Sequence, residues 1–323
     1  MGDIIHTLAA LQFVKKTHPD IEVTWFVEEK FAEILEHNPD VDTVVAVNLH
    51  RFKTSLSLSG LKEEAAKVKS AAPFDLVIDV QGLIKSAVLA RIAGKNIAGL
   101  DYSSAKEGAA SFLYSQRFAV ACTQTAPYRF ASLIGRALGM EISEEMLREK
   151  APYLYFETDT ECRKIAEWFD STKKSVLMVT AASNESKTYP PEKFAEVAKR
   201  LDAYNILLIA GSEEERASAR KIERLSNAKL LPSMSLNALK YTVSRCDLLI
   251  GGDTGPSHMA WAMNRPSLLL FGSTPRAMMM ETPINRALTS GKRVHPCRFD
   301  KSDRSITTID PEKVADTALE LLA

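Results

Sequence analysis

The sequence predicts an α/β protein of two domains, each a parallel sheet covered by helices on both faces, the doubly wound architecture. Short apolar segments alternate with segments of helical periodicity along both halves of the chain. The length of 323 residues exceeds what one compact core usually serves, which indicates two domains. A glycine-rich turn joins an apolar strand to a helix at residues 250–256. Such turns are typical of the carboxyl edge of a parallel sheet, where ligands bind.

Composition excludes several classes of function. The 46% hydrophobic and 25% charged residues are ordinary for a globular protein in water. Because 41 basic residues balance 41 acidic ones, no nucleic-acid partner is expected. The four cysteines are widely scattered without a C-x-x-C pair, so no metal site is expected. No signal peptide is visible and no apolar run approaches the ~20 residues of a membrane span, so we expect a cytoplasmic protein.

The first half, residues 1–150, is predicted to contain four strands separated by helices. The chain opens in a helix, since apolar residues recur at helical spacing from Ile4 to Val14. Clusters of β-branched and aromatic residues predict strands at residues 21–27, 43–47, 74–80 and 97–100. Helices are predicted at residues 31–35, 61–70, 84–93 and 127–138, the last ended by Gly139. Residues 48–60 and 102–125 lack a clear period and are expected to form loops.

A change of pattern near Lys150 marks the predicted domain boundary. Beyond it, strands are predicted at residues 175–179, 205–209, 229–231, 247–250 and 267–271. Helices are predicted at residues 160–169, 192–201, 213–225, 236–244 and 311–322, and the last is a candidate to pack back on the first domain. With two such domains, the cleft between them is the expected active site. The first βα turn has no G-x-G-x-x-G motif, which argues against a dinucleotide dehydrogenase.

The strongest functional signal lies in residues 247–260, which run from a strand through the glycine-rich turn into a helix. Asp253 or Thr254 can cap that helix, and Pro256 stands where proline is tolerated. Free backbone N–H groups at the positive end of a helix dipole form an anion site that suits phosphate. An ordinary strand-to-helix turn would carry part of this pattern. Three glycines and His258 at the helix start exceed what such a turn requires.

Further candidates each have a structural and a functional interpretation. Asp3 fits an N-cap, or a base that takes the proton of a substrate hydroxyl late, as the new bond forms. Ser183 and Lys187 follow a buried strand, where they either form a solvated loop or grip a phosphate. Glu213 stands at a helix start, as a favourable charge or a ligand of a ribose diol. Met234 is interpreted as a core residue or as the lining of a binding site.

Cations scattered through the first half form the last group of candidates: Arg51, Lys53, Lys106 and Arg129. Scattered cations are usually surface charges. In loops at one edge of a cleft, they would form a site for an acidic substrate.

Three segments, in this order along the chain, resemble motifs of the bacterial lipopolysaccharide heptosyltransferases. They are Met1-Gly-Asp-Ile-Ile-His-Thr-Leu, Asp79-Val-Gln-Gly-Leu-Ile-Lys-Ser and Gly252-Asp-Thr-Gly-Pro-Ser-His. The resemblance extends over nearly the whole chain and implies an inverting glycosyltransferase of the GT-B fold, with two Rossmann-like domains facing a central cleft. It implies ADP-heptose as the donor substrate, with no cofactor and no metal. The first two motifs are most similar to members that add the first L-glycero-D-manno-heptose to the Kdo residue of Kdo2-lipid A.

The resemblance also implies a role for each candidate residue. Asp3 would be the general base on the acceptor hydroxyl. The donor residues would be Ser183 and Lys187 for the diphosphate, Glu213 for the ribose, Met234 for the adenine, Asp253 for the heptose, and Thr254, Gly255 and His258 for phosphate. The residues facing the anionic Kdo-lipid acceptor would be Arg51, Lys53, Lys106 and Arg129.

The chain also departs from the family pattern. Family members begin with a strand and a short loop before Met-Gly-Asp, and we expect the first sheet to lack that strand here. Ala182 stands in place of a hydroxyl residue, and Lys106 in place of an arginine.

Partners and alternatives follow from the same resemblance. We expect a monomer that transiently contacts the cytoplasmic face of the inner membrane. Three alternatives stay open: a family member with a different acceptor, a nucleotide-sugar epimerase of the same fold, and an inactive donor-binding fragment. Incubation with ADP-heptose and acceptor separates them, because an epimerase needs no acceptor and a fragment shows donor affinity alone.

Overall fold

The computed structural model describes residues 1–48, 58–180, 184–297 and 300–323. The predictions for Arg51, Lys53, Ala182 and Ser183 therefore lie outside the described residues. The contacts divide the chain into two compact units. One is His6–Lys150, and the other combines Met1–Ile5 with Ala151–Ala323.

The first five residues thus belong with the second half, whereas the predicted boundary near Lys150 assigns them to the first. Two contacts within the unit of Met1–Ile5 and Ala151–Ala323 explain why the first five residues belong to it. The hydroxyl group of Tyr153 donates a hydrogen bond to the carbonyl oxygen of Ile5 at 2.9 Å. A Cβ atom added to Gly2 would lie 3.1 Å from Cδ2 of His258, so the start of the chain packs closely on that histidine.

The unit His6–Lys150 alternates strands and helices. Its strands are β1 (Thr24–Glu28), β2 (Thr43–Val47), β3 (Val77–Asp79), β4 (Ile97–Leu100) and β5 (Gln116–Phe118). The helices up to Lys150 are α1 (Gly2–Leu8, which begins in the other unit), α2 (Leu11–Thr17), α3 (Leu58–Ala71), α4 (Ile84–Ala93), α5 (Ala126–Ala137) and α6 (Glu144–Arg148). Short 3₁₀ helices span Glu29–Ile34 and Gly108–Leu113.

All strands of this unit pair in parallel, as predicted, but they do not form one sheet. β1 pairs with β2, and β3, β4 and β5 form a separate three-stranded sheet. No strand in the described part of the chain joins β1 to β3. The helix predicted from Ile4 to Val14 is two helices, because a turn at residues 9–10 interrupts it.

The turn after β3 is held by Asp79, the first residue of the second motif. Its carboxylate accepts hydrogen bonds from the hydroxyl groups of Ser86 and Tyr114, both at 2.7 Å, and from the backbone N–H of Gln81 at 2.9 Å. Gly82 follows with a positive φ of 63°, a conformation that favours glycine. Burial and the neighbouring Asp79 carboxylate raise the pKa of Tyr114. These contacts show that Asp79 and Ser86 fix the geometry of the turn.

Replacing Asp79 by alanine is expected to reduce the free energy of unfolding by about 3 kcal/mol, since three donors, one of them the buried hydroxyl group of Tyr114, lose their acceptor. Urea unfolding measures this loss. Asp75→Ala is the matched control, because this nearby aspartate is exposed and its loss should cost no more than ~0.5 kcal/mol. Equal losses in the two variants would contradict the structural role of Asp79.

The second unit contains one sheet of six parallel strands in the order β11-β10-β9-β6-β7-β8. The strands are β6 (Ser175–Val179), β7 (Asn205–Ile209), β8 (Lys229–Leu230), β9 (Leu248–Gly252), β10 (Ser267–Phe271) and β11 (Asn285–Thr289). The helices are α7 (Thr160–Ala166), α8 (Pro191–Arg200), α9 (Glu213–Leu225), α10 (Leu236–Arg245), α11 (Gly255–Ala262) and α12 (Pro311–Leu322). Short 3₁₀ helices span Glu185–Lys187, Arg276–Met278 and Ser305–Thr308.

Helices cover both faces of this sheet, as the doubly wound prediction requires. On one face, Val176, Met178 and Ile250 pack in one hydrophobic cluster with residues of α8, α9 and α12. Leu177 and Leu249 alternate with them and are fully buried on the other face, where α11 packs against β9 and β10. The last helix, α12, packs on α8 and the sheet of its own unit.

Among the helices of the described residues, none has both the length and the apolar character needed to cross a bilayer.

Candidate functional site

The strand-to-helix turn predicted as an anion site has the expected local structure. β9 ends at Gly252 and α11 begins at Gly255, with Thr254 in the extended N-cap conformation (φ −138°, ψ 165°). Pro256 lies in the first helical turn, where a missing N–H costs no hydrogen bond. Thr254 and Gly255 are half-buried, so the positive end of the helix is partly exposed.

Glycine at position 251 lets α11 approach the sheet. A Cβ atom there would lie 2.7 Å from Oγ of Ser257 and 2.9 Å from Cβ of Val179. Both distances are shorter than real Cβ contacts allow, so any larger residue would push the helix or β6 outward. The Ser257 hydroxyl also lies 3.1 Å from the Thr254 hydroxyl. The helix start is therefore packed tightly against the end of the sheet.

The loop that carries Lys187 reaches the same edge of the sheet. It follows β6, which pairs directly with β9 and has Val179 opposite Gly251. Asn184 caps the 3₁₀ helix Glu185–Lys187 by accepting from the backbone N–H of Ser186 at 3.0 Å. Ser273, just beyond β10, donates to the carbonyl oxygen of Ser186 at 3.0 Å. These bonds fix the described part of the loop beside the end of β9.

Lys187, Asp253 and His258 form a buried charged cluster. Nζ of Lys187 lies 2.6 Å from Oδ2 of Asp253, and Nε2 of His258 lies 3.0 Å from Oδ1 of the same carboxylate. The side chains of Asp253 and His258 are almost fully buried, whereas that of Lys187 is 20% exposed. Burial opposes ionisation of Asp253, but His258 and Lys187 outweigh it and hold the pKa of this carboxyl below its usual value. Asp253 is therefore a buried, ionised acceptor.

The helix that carries Asp3 contacts this cluster within the same unit. Gly2 packs on the His258 ring, and a Cβ atom added to Gly255 would clash with the side chain of Met1. Asp3 lies in the first turn of α1 and is half-buried. The structure thus brings the predicted base next to the predicted phosphate motif, although the two are about 250 positions apart in the sequence.

Glu213 and Met234 lie farther along the same unit. Glu213 begins α9, and its side chain is exposed, with Oε2 3.7 Å from Nη2 of Arg220. Glu215 is the residue that completes the capping box, since its carboxylate accepts from the backbone N–H of the N-cap residue Ser212 at 3.3 Å. The same carboxylate oxygen also accepts from the backbone N–H of Gly211 at 2.7 Å. Met234 is half-buried before α10, with its sulfur 3.4 Å from Oγ1 of Thr242. The described contacts do not join either residue to the charged cluster.

The described acceptor candidates belong to the unit His6–Lys150. Lys106 is exposed in the loop between β4 and β5. Arg129 lies on α5, and its Nη2 donates to the carbonyl oxygen of Ser104 at 3.0 Å. This bond attaches the Arg129 side chain to the loop of Lys106.

Sequence reasoning missed some residues that build the site. Ser257 stands inside the quoted third motif and could have been found there. Ser273 gave no local signal, because its role depends on the neighbouring loop. Thr180 directly follows β6, and its fully buried hydroxyl group has no hydrogen-bond partner among the described residues. Within those residues, no three His, Cys, Asp or Glu side chains cluster as metal ligands would.

Comparison with known sequences identifies related proteins along most of the chain. The model of the family described as glycosyltransferase family 9 (heptosyltransferase) matches residues 66–303. Lipopolysaccharide heptosyltransferase 1 of Campylobacter coli is 33% identical, over 99% of this chain and 96% of its own. The protein of that name from Pseudomonas aeruginosa is 34% identical, over 85% of this chain and 76% of its own.

Solved structures of the family share the fold. The E. coli heptosyltransferase WaaC with ADP-2-deoxy-2-fluoro heptose is 25% identical with a TM-score of 0.75, over 99% of this chain and 96% of that one. A family 9 glycosyl transferase from Veillonella parvula is 19% identical with a TM-score of 0.82, over 100% of this chain and 94% of that one. Their fold is the predicted GT-B fold. The chain belongs to glycosyltransferase family 9, the heptosyltransferases.

Proposed function

We propose that the chain is a heptosyltransferase 1, which moves L-glycero-D-manno-heptose from ADP-heptose to the Kdo residue of Kdo2-lipid A with inversion at the anomeric carbon. It would act as a monomer at the cytoplasmic face of the inner membrane. The observation that carries the proposal is the cluster of Lys187, Asp253 and His258 at the start of α11, with the helix of Asp3 packed against it. The names of the relatives and the donor analogue in the E. coli structure support the choice of substrates.

The donor diphosphate would bind beside Lys187 and the start of α11. An ammonium group has three N–H donors, so Lys187 can keep Asp253 and still donate to phosphate oxygens. The first backbone N–H groups of α11 add positive potential beside it. Charge develops on the departing ADP as the sugar leaves, and these groups would stabilise it.

Asp253 would orient the heptose. Each of its oxygens already accepts one hydrogen bond, from Lys187 and from His258. A carboxylate has about four lone-pair sites, so each oxygen can accept one more bond, from a sugar hydroxyl. Because the carboxyl is held ionised, it would act as an acceptor throughout the physiological pH range.

A single displacement accounts for inversion. The acceptor oxygen attacks the anomeric carbon as its proton passes to the Asp3 carboxylate. The bond from that carbon to the phosphate oxygen breaks, and its electron pair leaves with ADP. Lys106 and Arg129 would hold the anionic Kdo-lipid acceptor, as would Arg51 and Lys53.

Replacing Gly252 by alanine is expected to raise the dissociation constant of ADP about tenfold or more, the loss of one charge-assisted hydrogen bond. The new Cβ atom would lie 2.5 Å from the carbonyl oxygen of Lys187, so the backbone of that residue must move. Calorimetric titration with ADP measures the change. Gly94→Ala in the other unit is the matched control and should bind ADP normally. Unchanged affinity in Gly252→Ala would contradict the proposed position of the diphosphate.

The acceptor is tested by offering the purified chain ADP-heptose with two lipids, Kdo2-lipid A and Kdo2-lipid A that already carries one heptose. Mass spectrometry of the lipid should show one added heptose on the first and none on the second. Addition to the second lipid alone would identify a heptosyltransferase II. Conversion of ADP-heptose without any acceptor would identify an epimerase or a hydrolase. Binding of ADP-heptose without any conversion would identify an inactive fragment.

A further inference from the structure

An exposed apolar surface lies on the unit His6–Lys150, and we propose that it rests on the anionic lipid bilayer that carries the acceptor. Four side chains form this apolar surface: Ile84, Val88, Tyr102 and Phe112. Their residues are 47, 40, 65 and 68% exposed, respectively. The inference rests on the proposed function, because a lipid-linked acceptor is what brings the protein to a bilayer.

The two aromatic residues of the apolar surface contact each other. The ring centroids of Tyr102 and Phe112 are 5.9 Å apart. Tyr102 also packs on the backbone at Gly108, where an added Cβ atom would lie 3.0 Å from the ring. An aromatic pair held against the backbone in this way presents its outer faces to solvent at little conformational cost. Tyrosine is also enriched where protein meets the interface between lipid and water.

The two aliphatic residues continue the surface on α4. Ile84 and Val88 are four residues apart, so they share one face of that helix. The backbone N–H of Ile84 donates to Oε2 of Glu107 at 2.7 Å, and Glu107 directly precedes Gly108. α4 also packs against the 3₁₀ helix Gly108–Leu113, which carries Phe112. All four side chains therefore belong to one part of the unit.

Cations surround the apolar surface. Arg117 is exposed, and its Nε donates to the carbonyl oxygen of Ser111, the neighbour of Phe112. Arg91 is exposed on α4, seven residues beyond Ile84, which places it on the face of Ile84 and Val88. Lys95 is exposed just beyond the end of α4, where its carbonyl oxygen accepts from Nη1 of Arg91 at 3.3 Å.

Two carboxylates near the apolar surface already accept hydrogen bonds within the unit. Glu107 accepts from the backbone at the start of α4, and Asp101 accepts from Ser103 and Ser104. An apolar centre with cations at its edge is complementary to a bilayer with anionic headgroups.

The size of the surface favours a bilayer over a second copy of the chain. Large aromatic side chains bury about 150–250 Å² each, so four partly exposed side chains offer roughly 400 Å². A stable protein interface needs about 800 Å² on each partner. A patch of half that area suits reversible contact with lipid, where a few side chains insert among the headgroups.

The surface also adjoins the proposed acceptor residues. Lys106 stands between Tyr102 and Phe112 in the sequence, and Arg129 binds the carbonyl oxygen of Ser104 in the same loop. A bilayer that touches this loop would present the sugar of its lipid to these cations. Membrane contact and acceptor binding would then occur on the same side of the unit.

The test measures partition of the full chain onto vesicles, without donor or acceptor. Vesicles of phosphatidylethanolamine with phosphatidylglycerol are compared with neutral phosphatidylcholine vesicles by sedimentation. The wild type should bind the anionic vesicles, and higher salt should weaken binding. The double variant Tyr102→Ser/Phe112→Ser should lose at least about tenfold in partition coefficient, because both anchors lose their apolar area.

Matched controls separate loss of the surface from loss of the fold. Leu225→Ser/Leu319→Ser removes two apolar residues of 41 and 40% exposure from the other unit, and its vesicle binding should not change. Tyr102→Trp keeps an aromatic ring, so it should bind vesicles normally and show a blue-shifted emission on them. A Tyr102→Ser/Phe112→Ser variant that partitions like the wild type, or a control that weakens equally, would overturn the proposal.

Two further results keep this proposal apart from the proposed function. The serine double variant should transfer heptose slowly to acceptor in vesicles and normally to acceptor dispersed in detergent, with unchanged ADP affinity. Vesicle binding that depends on Tyr102 and Phe112 without any heptose transfer would uphold the surface and refute the function. A wild type that is dimeric in sedimentation, with a monomeric double variant, would assign the surface to a second copy and overturn the proposal.

Discussion

We expect the replacement of Asp3 by asparagine to lower the kcat of heptose transfer about 100- to 10,000-fold, because a positioned general base contributes a factor in this range. Asparagine keeps the size of the side chain in the first turn of α1, but it cannot take the acceptor proton. ADP affinity should not change, because Lys187, Asp253 and the start of α11 are untouched. Initial rates with saturating donor and acceptor, together with a calorimetric titration, separate the two effects.

The control for Asp3 is Asp316→Asn, which removes an exposed carboxylate from α12. Its kcat should equal that of the wild type. An Asp3→Asn enzyme that transfers heptose at the wild-type rate would contradict the assignment of the base. A rate that falls together with ADP affinity would instead assign Asp3 a role in binding.

Replacing Asp253 by asparagine is expected to lower the free energy of unfolding at pH 7 by about 3 kcal/mol, since removing one partner of a buried ion pair leaves the other uncompensated. Lys187 and His258 both lose their anionic partner in this variant. Heptose transfer should fall as well, because the acceptor proposed for the sugar hydroxyl changes. Urea unfolding of both proteins measures the stability difference.

The dependence of this difference on pH follows from the sign of the pKa shift. The pKa of Asp253 is lower in the folded protein than its ordinary value of 3.8, so the unfolded state takes up a proton first as the pH falls. The stability that Asp253 adds is therefore fully present above that value and is lost as the pH falls through the folded pKa. The difference in the free energy of unfolding between the wild type and Asp253→Asn should therefore narrow below about pH 4.

Glu320→Gln is the control for an exposed pair. Oε2 of Glu320 lies 2.6 Å from Nη1 of Arg286, and the two side chains are 65 and 40% exposed, so the loss of this pair should cost no more than ~1 kcal/mol. If Asp253→Asn were as stable as the wild type at pH 7, the buried cluster would not have the energetic role assigned to it.

The sequence was sufficient to predict the start of α11 because the signals there are local. A capping position at Thr254, a proline at 256 and glycines at 251 and 252 all favour the same turn. The doubly wound fold of the second unit could also be predicted from the sequence, because β6, β7, β9 and β10 are mainly apolar segments that are buried on both faces.

Two edge strands, β5 and β11, could not be predicted in the same way. β5 has the sequence Gln-Arg-Phe and β11 begins with Asn-Arg, and neither shows the apolar alternation of a strand. Each is a strand because it pairs with a neighbour, β5 with β4 and β11 with β10. The separation of the first unit into two sheets also depends on pairing between distant segments.

The charged cluster is another product of tertiary structure. The sequence identified Lys187, Asp253 and His258 as separate phosphate or sugar ligands, but gave no indication that the first two pair with each other. Their contact depends on the adjacency of β6 and β9 and on the absence of a side chain at Gly252. The individual roles of these residues toward donor and acceptor stay predictions.

The most direct measurement is a single time course in which the purified chain is mixed with ADP-heptose and Kdo2-lipid A, and both ADP and the lipid mass are followed. The proposed function predicts that each ADP released is matched by one heptose gained on the lipid, and that Asp3→Asn nearly abolishes both. Release of ADP without a gain in lipid mass, or equal transfer by Asp3→Asn, would contradict it.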